Sequence, residues 1–146
     1  MIFDAQGLKA QGVEGGWAIG IHDIVRFRDL DSYGHVNNVV FHSWFEDVRV
    51  MFFEAIGFEI TKRQPAMFVV RAADISFDRQ LHFKAKYWVL TKPTKIGNSS
   101  LQLDYVVRND GADVVSGTTA LVLSDLQKGQ SVPIPDQLRD EISAYL

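Results

Sequence analysis

The stretch Asp29-Leu30-Asp31-Ser32-Tyr33-Gly34-His35-Val36-Asn37-Asn38 runs directly into a segment, Val39 to Ile56, in which two residues of every three are apolar. Val39, Val40, Phe41, Trp44, Phe45, Val48, Val50, Met51, Phe52, Phe53, Ala55 and Ile56 are too many for the single stripe of a surface helix, so the segment is predicted to be a helix surrounded by protein. Its ends carry their own signals. Asn37 or Asn38 can act as N-cap, because a short side-chain oxygen accepts from an otherwise unpaired amide. Gly57 stands where a glycine in the left-handed region would terminate the helix.

On the N-terminal side, Trp17, Ile19, Ile21, Val25 and Phe27 alternate with smaller or polar residues, the period-two pattern of a strand with one buried face. On the C-terminal side, strand patterns recur at roughly Met67–Phe77, Phe83–Thr91, Ser99–Arg108 and Val114–Ser124. Asn109-Asp110-Gly111 reads as a hairpin turn, and Pro93 through Gly97-Asn98 as another reversal. Pro133 and Pro135 end the last strand, and Asp136 to Tyr145 is expected to form a short terminal helix. Met1 to Gly16, with Gly7, Gly12, Gly15 and Gly16, is expected to be a loosely ordered lead-in containing at most a short edge strand. The reading is therefore one α+β domain over residues 17–146, a curved antiparallel sheet of about five strands wrapped around a central apolar helix. One sheet cannot cover every side of such a helix. A second copy of the chain is the economical source of the missing layer, so a homodimer or homotetramer is expected.

The chain of 146 residues is 47% hydrophobic and 12% aromatic, enough to build one core. No run of about eighteen apolar residues and no secretory leader pattern is evident, so a cytoplasmic, membrane-free protein is expected. A net charge of -3 and a pI near 5.7, without a dense basic cluster, argue against nucleic acid as a partner. The absence of cysteine is more informative for chemistry: it removes thiolate nucleophiles, disulfides and cysteine-ligated zinc together. His22, His35, His42 and His82 show no paired spacing with a third ligand, so no metal site is expected. Scattered cations such as Arg63, Arg79, Lys84, Lys86 and Lys95 read as solvated surface charge. Asn98-Ser99-Ser100 matches a glycosylation triplet by chance.

Asp29 and Asp31 lie just upstream of Gly34-His35 and of a helix start that offers unpaired, aligned N–H groups. A thioester carbonyl gains negative charge as it is attacked, so amides near Asn37 and Asn38 can stabilise an oxyanion while a neighbouring carboxylate attacks or activates water. The same residue types also serve any loop followed by an N-cap, and His35 is equally readable as a structural hydrogen-bonding residue or as an acid or base. The aromatic series Phe41, Trp44, Phe45, Phe52 and Phe53 reads as core, with room for one or two members to line an acyl pocket.

The loop from Asp29 to Asn38, followed by Phe45-Glu46-Asp47-Val48-Arg49 and Gly57, resembles the 4-hydroxybenzoyl-CoA thioesterase family of hotdog proteins. The His35-Val36-Asn37-Asn38 run is similar to the branch of long-chain acyl-CoA and acyl-ACP thioesterases. Ile96-Gly97-Asn98-Ser99-Ser100 and Gly117 to Asp125 resemble that family's later strands, so the resemblance extends from about Ile21 to Pro135. It implies a hotdog fold and hydrolysis of an acyl-CoA, or alternatively an acyl-ACP, without cofactor. It also implies that Asp31 is the catalytic carboxylate with Asp29 supporting, and that the Asn38 backbone amide polarises the carbonyl, with Asn37 beside it. His35 matches a histidine of plant acyl-ACP thioesterases, but Tyr33 stands where those enzymes carry a catalytic asparagine. A second departure is Phe77 to Ala85, where Gln80 replaces a frequent proline and Lys84-Ala85 a Gly-Asp pair. A helix N-terminus would keep Asp31 ionised, suited to a nucleophile or weak base and not to a proton donor. Two other readings share the fold. A non-catalytic hotdog module would bind acyl-CoA without turnover, and a hotdog dehydratase would need a His/Asp or His/Glu pair in a different motif.

Overall fold

The computed structural model describes all of residues 1–146. Strand β1 (Ile2–Asp4) and helix α1 (Ala5–Ala10) precede strand β2 (Ile19–Ile24), and a 3-10 turn at Phe27–Asp29 opens the loop that leads to helix α2 (Asn38–Ala55). Four long strands follow, β3 (Ala66–Phe77), β4 (Lys86–Ile96), β5 (Ser100–Asn109) and β6 (Ala112–Asp125), then the short β7 (Gln130–Ser131) and helix α3 (Asp136–Ser143). All strands join one antiparallel sheet in the order β1-β2-β4-β5-β6-β3, with β7 added to β6. The sheet curls around α2, as expected for a hotdog domain. The five anticipated strands are present, and β1 and β7 bring the number to seven.

Helix α2 begins where the caps indicate. The Asn37 side-chain oxygen accepts from the Val39 N–H at 3.1 Å, and Gly57 beyond its end has φ of 81°. Its buried face carries Phe41, Trp44, Phe45, Val48, Phe52 and Phe53. Trp44 stacks on Tyr87 of β4, Phe45 on Tyr105 of β5 and Phe53 on Phe68 of β3, so one helix ties together strands from the middle of the sheet to its far edge. Gly117 of β6 makes the Phe45 contact possible, since a β-carbon there would lie 2.7 Å from the Phe45 ring.

Four expectations need correction. Residues 1–16 are not a loose lead-in: β1 pairs with β2 in the register Ile2 to Ile21, and α1 starts with the Asp4 carboxylate accepting from the Gly7 N–H at 2.8 Å. Leu8 is then buried on the convex side of the sheet with Val13, Trp17, Leu90 and Val106, a second small core that the bare sheet face requires. Strand β4 starts at Lys86 and not at Phe83, because Lys84 adopts φ of 67°, which ends extended pairing. The reversal expected over Pro93 to Asn98 falls at its end, where the Gly97 N–H donates to the Ser100 carbonyl at 2.8 Å between β4 and β5, and Pro93 itself does not turn the chain. The strand runs through it to Ile96, with a register shift between Pro93 and Lys95 where a missing N–H is tolerated. Finally, α2 is not enclosed on all sides: His42, Ser43, Glu46, Asp47 and Glu54 form an exposed polar face. The exposed apolar surface lies instead on edge strand β3, at Val69, Val70 and Phe77, and around the Asp29–Asn38 loop.

Candidate active site

The loop before α2 is a miniature hairpin held by its own backbone. The Asn37 N–H donates to the Asp29 carbonyl at 2.9 Å, Leu30 and Val36 form an antiparallel bridge, and the Asp31 N–H donates to the His35 carbonyl at 2.9 Å. A turn closes the tip, with the Gly34 N–H on the Asp31 carbonyl at 3.1 Å and Gly34 at φ of 82°. A side chain is disfavoured at that angle, which explains glycine before His35. The pairing sets Asp31 two residues, about 7 Å of strand, from the level of Asn37 and the helix start.

Within that frame the two aspartates have different surroundings. Asp29 is buried, and its Oδ2 accepts from the Arg26 N–H at 2.8 Å, closing the 3-10 turn from inside. It is a structural carboxylate in the supporting position. Asp31 is only half-buried, and its Oδ1 accepts from the Tyr33 N–H at 2.9 Å. That single bond orients the carboxylate and leaves its other oxygen unengaged.

Asn37 and Asn38 also separate. Asn37 spends its N–H on Asp29 and its side-chain oxygen on Val39, so it builds the helix start and its backbone has no donor left for an oxyanion, while its side-chain N–H groups remain unengaged. Val40 donates to the Asn37 carbonyl at 2.9 Å. The Asn38 N–H, first of the 18-residue helix, is left without an acceptor on an exposed residue. Partial positive charge at the start of a helix this long favours an oxyanion there.

His35 is anchored to a segment that its sequence neighbourhood does not reveal. It forms an antiparallel bridge with His82, the two rings meet edge to face at 5.0 Å, and the Val36 N–H donates to the Leu81 carbonyl at 2.9 Å. The Leu81–Ala85 turn thus supports the loop from the side. Phe27 and Phe83, both exposed, meet edge to face at 6.0 Å beside it. His82 and Phe83 carry no local motif, which is why only the fold exposes their role. Around the other flank, Asp47 is exposed overall but lines a small cavity with Trp44 and Tyr87, and this partial burial first, then Glu46, raises its carboxyl pKa. Burial raises the Tyr87 hydroxyl further, with Asp23, Asp29 and Asp47 adding to it.

Four likenesses bear on this geometry. A family model described as thioesterase-like superfamily matches residues 25–142, which include the whole hairpin, α2 and the sheet from β3 onward. Uncharacterized protein YsmA of Bacillus subtilis (strain 168) is 28% identical over 119 residues, 81% of this chain and 80% of that protein. Among solved structures, a thioesterase from Thermus thermophilus complexed with coenzyme A and Zn is 30% identical, with a TM-score of 0.81 over 90% of this chain and 96% of that one. A thioesterase-superfamily protein from Jannaschia sp. has a TM-score of 0.88 at 21% identity, covering 99% and 93% of the two chains, and so attests to the fold. The matched region contains both the Asp31 carboxylate and the free amide at the start of α2, and the chain belongs to the thioesterase-like superfamily.

Proposed function

We propose that this protein hydrolyses acyl-CoA thioesters to a free acid and CoA, using Asp31 as nucleophile or general base and the Asn38 amide as oxyanion donor. The observation that carries the reading is the unpaired Asn38 N–H at the head of α2, across a rigid hairpin from a carboxylate with an unengaged oxygen. Attack on the carbonyl carbon moves an electron pair onto the carbonyl oxygen, where the amide and the aligned peptide dipoles stabilise it. Collapse then breaks the C–S bond and releases CoA as thiolate, which takes its proton from solvent. If Asp31 attacks directly, water hydrolyses the resulting anhydride; if it acts as base, water attacks in one step. CoA as carrier is supported by the coenzyme A bound to the 30% identical Thermus thermophilus thioesterase. His35, held against His82, supports the loop and needs no proton-transfer role in this scheme.

A homo-oligomer is part of the same reading. Strand β3 is a twelve-residue sheet edge free of proline, with Val70 47% exposed, and such an edge is stable when paired or covered. A second copy of β3 supplies a matching edge about a two-fold axis. The test is a panel of acyl-CoAs from acetyl to palmitoyl, with aromatic members, scored by thiol release. Turnover of at least one supports hydrolysis. Thermal stabilisation by the same compounds without thiol release would refute it and leave a binding module.

A further inference from the structure

We propose that Arg49 is a specificity residue that selects acyl groups ending in a carboxylate, on the order of eight carbons from the thioester; the inference rests on the acyl-CoA hydrolase reading above. Arg49 lies eleven residues beyond Asn38, which at about 100° per residue returns it to the same face of α2. The axial rise between them is about 16 Å, and an α-helical side chain leans back toward the N-terminus, leaving about 10 Å between guanidinium and oxyanion position. With carbon–carbon bonds of about 1.5 Å, that span takes on the order of eight carbons. Between the two ends the stripe carries exposed His42 on its outer side and buried Phe45 on its inner side, so the open path runs past His42.

The guanidinium is nearly buried although it lies on a helix with an exposed polar face. Its side chain is 12% exposed, at the floor of a cavity of about 160 Å³ enclosed by α2, β3 and β6. One N–H group donates to the Tyr105 hydroxyl at 3.2 Å, and that hydroxyl shares a hydrogen bond of 2.7 Å with Thr119. The nearest carboxylate, Glu46, forms a loose ion pair with it at 3.8 Å, beyond hydrogen-bond distance, from a side chain 70% exposed. Asp74 lines the cavity but by strand alternation shares the opposite sheet face with Thr118 and Asp104, which hydrogen-bond there. A guanidinium has five N–H donors, and beyond the Tyr105 hydroxyl no protein acceptor takes one within hydrogen-bond distance, so the others stay open to solvent or to a ligand. An incoming carboxylate would take two in the parallel geometry that guanidinium favours. Val70, Ala73 and Ile75 supply apolar walls for the methylenes leading to it.

The experiment compares octanoyl-CoA with its analogue bearing a terminal carboxylate, on the full chain and on Arg49→Met and Arg49→Lys. The wild type should favour the carboxylate-ended thioester by roughly ten- to hundredfold in kcat/KM, chiefly through KM. Arg49→Met should raise KM for that substrate and lower it for octanoyl-CoA, inverting the preference, while Arg49→Lys keeps part of it. Free suberate should also inhibit the wild type better than octanoate, a comparison that needs no variant to fold. Equal kcat/KM for the two thioesters in the wild type would overturn the proposal. So would an equal loss on both in Arg49→Met, or a change of oligomeric state in that variant, since either marks a structural arginine. If neither thioester is cleaved, the hydrolase reading fails by itself. Preferential thermal stabilisation by the carboxylate-ended thioester, lost in Arg49→Met, would then still support the pocket, and no preference would overturn it.

Discussion

Replacing Asp31 by Asn should abolish turnover while leaving the fold almost untouched, and the structure allows both parts to be estimated. The carboxylate accepts one protein hydrogen bond, from the Tyr33 N–H at 2.9 Å, and an amide oxygen in the same place can accept it. Only the charge-assisted fraction of one half-exposed bond is lost, about 0.5–1 kcal/mol. For a chain of this size that corresponds to a drop in Tm of about 2–4 °C at most. Catalysis is affected differently, because an amide neither attacks a thioester nor takes a proton from water. Loss of a positioned nucleophile or base costs roughly 10³–10⁴ in kcat, about 4–5.5 kcal/mol of barrier. The assay is continuous thiol release on the best acyl-CoA of the panel, with calorimetric melting of both proteins. Retention of more than about a tenth of wild-type kcat would refute the assignment. After a single turnover of the wild type in ¹⁸O-labelled water, label in the Asp31 carboxylate would mark direct attack followed by hydrolysis of the anhydride at the aspartyl carbonyl.

Other outcomes follow from features away from the reacting atoms. Asn37→Ala removes the cap that orients the first turn of α2 and should cost about 1 kcal/mol of stability. It should also lower kcat more than KM, because the Asn38 N–H loses its direction; an unchanged kcat would count against the oxyanion role. Asp47→Asn should raise Tm at pH 7 and make no difference below about pH 3. Burial first and Glu46 second hold the folded-state pKa of Asp47 above its unfolded value, so the folded state is penalised as pH rises through that range and the penalty disappears once both states are protonated. A larger gain at about pH 3 than at pH 7 would reverse that sign. Val70→Lys places a charge on the open edge of β3 and should shift the protein to monomer in sedimentation, with no change in far-ultraviolet circular dichroism; an unaltered oligomer would show that association does not use this edge.

Helix α2 was legible because its signals are local: apolar density, an asparagine cap and a terminal glycine all coincide within about twenty residues. The strands of the second half were legible for the same reason, through alternation and turn residues. Their order was not. Strand β3 pairs with β6 at the far edge and not with β4, its successor in sequence, and nothing within β3 encodes that choice, which depends on Phe68 reaching Phe53 and Phe58. Helix α1 escaped because six residues around Gly7, with one buried leucine, carry too little periodicity to register. At the site, Asp31 and Asn38 stand out through a contiguous motif. His82 does not, since it meets its partner through a distant turn, and Arg49, although it closes the Phe45–Arg49 motif, shows no role until its burial is seen. Asn37 shows a further limit: its residue type suits a cap or a donor site equally, and only the hydrogen-bond partners separate them.

The two borders of the sheet are unequal. One ends in β1, three residues long and tied down by the first turn of α1, and the other in the full length of β3. A sheet with two inviting borders can add subunits without end, as fibrils do. With one border foreshortened, joining two copies through β3 uses up the adhesive surface of both, and growth along the sheet stops at two. On the proposed pairing through β3, the opening residues would serve as a chain terminator for assembly, and deleting β1 and α1 is expected to strip cover from β2 and let the pair extend into a polymer.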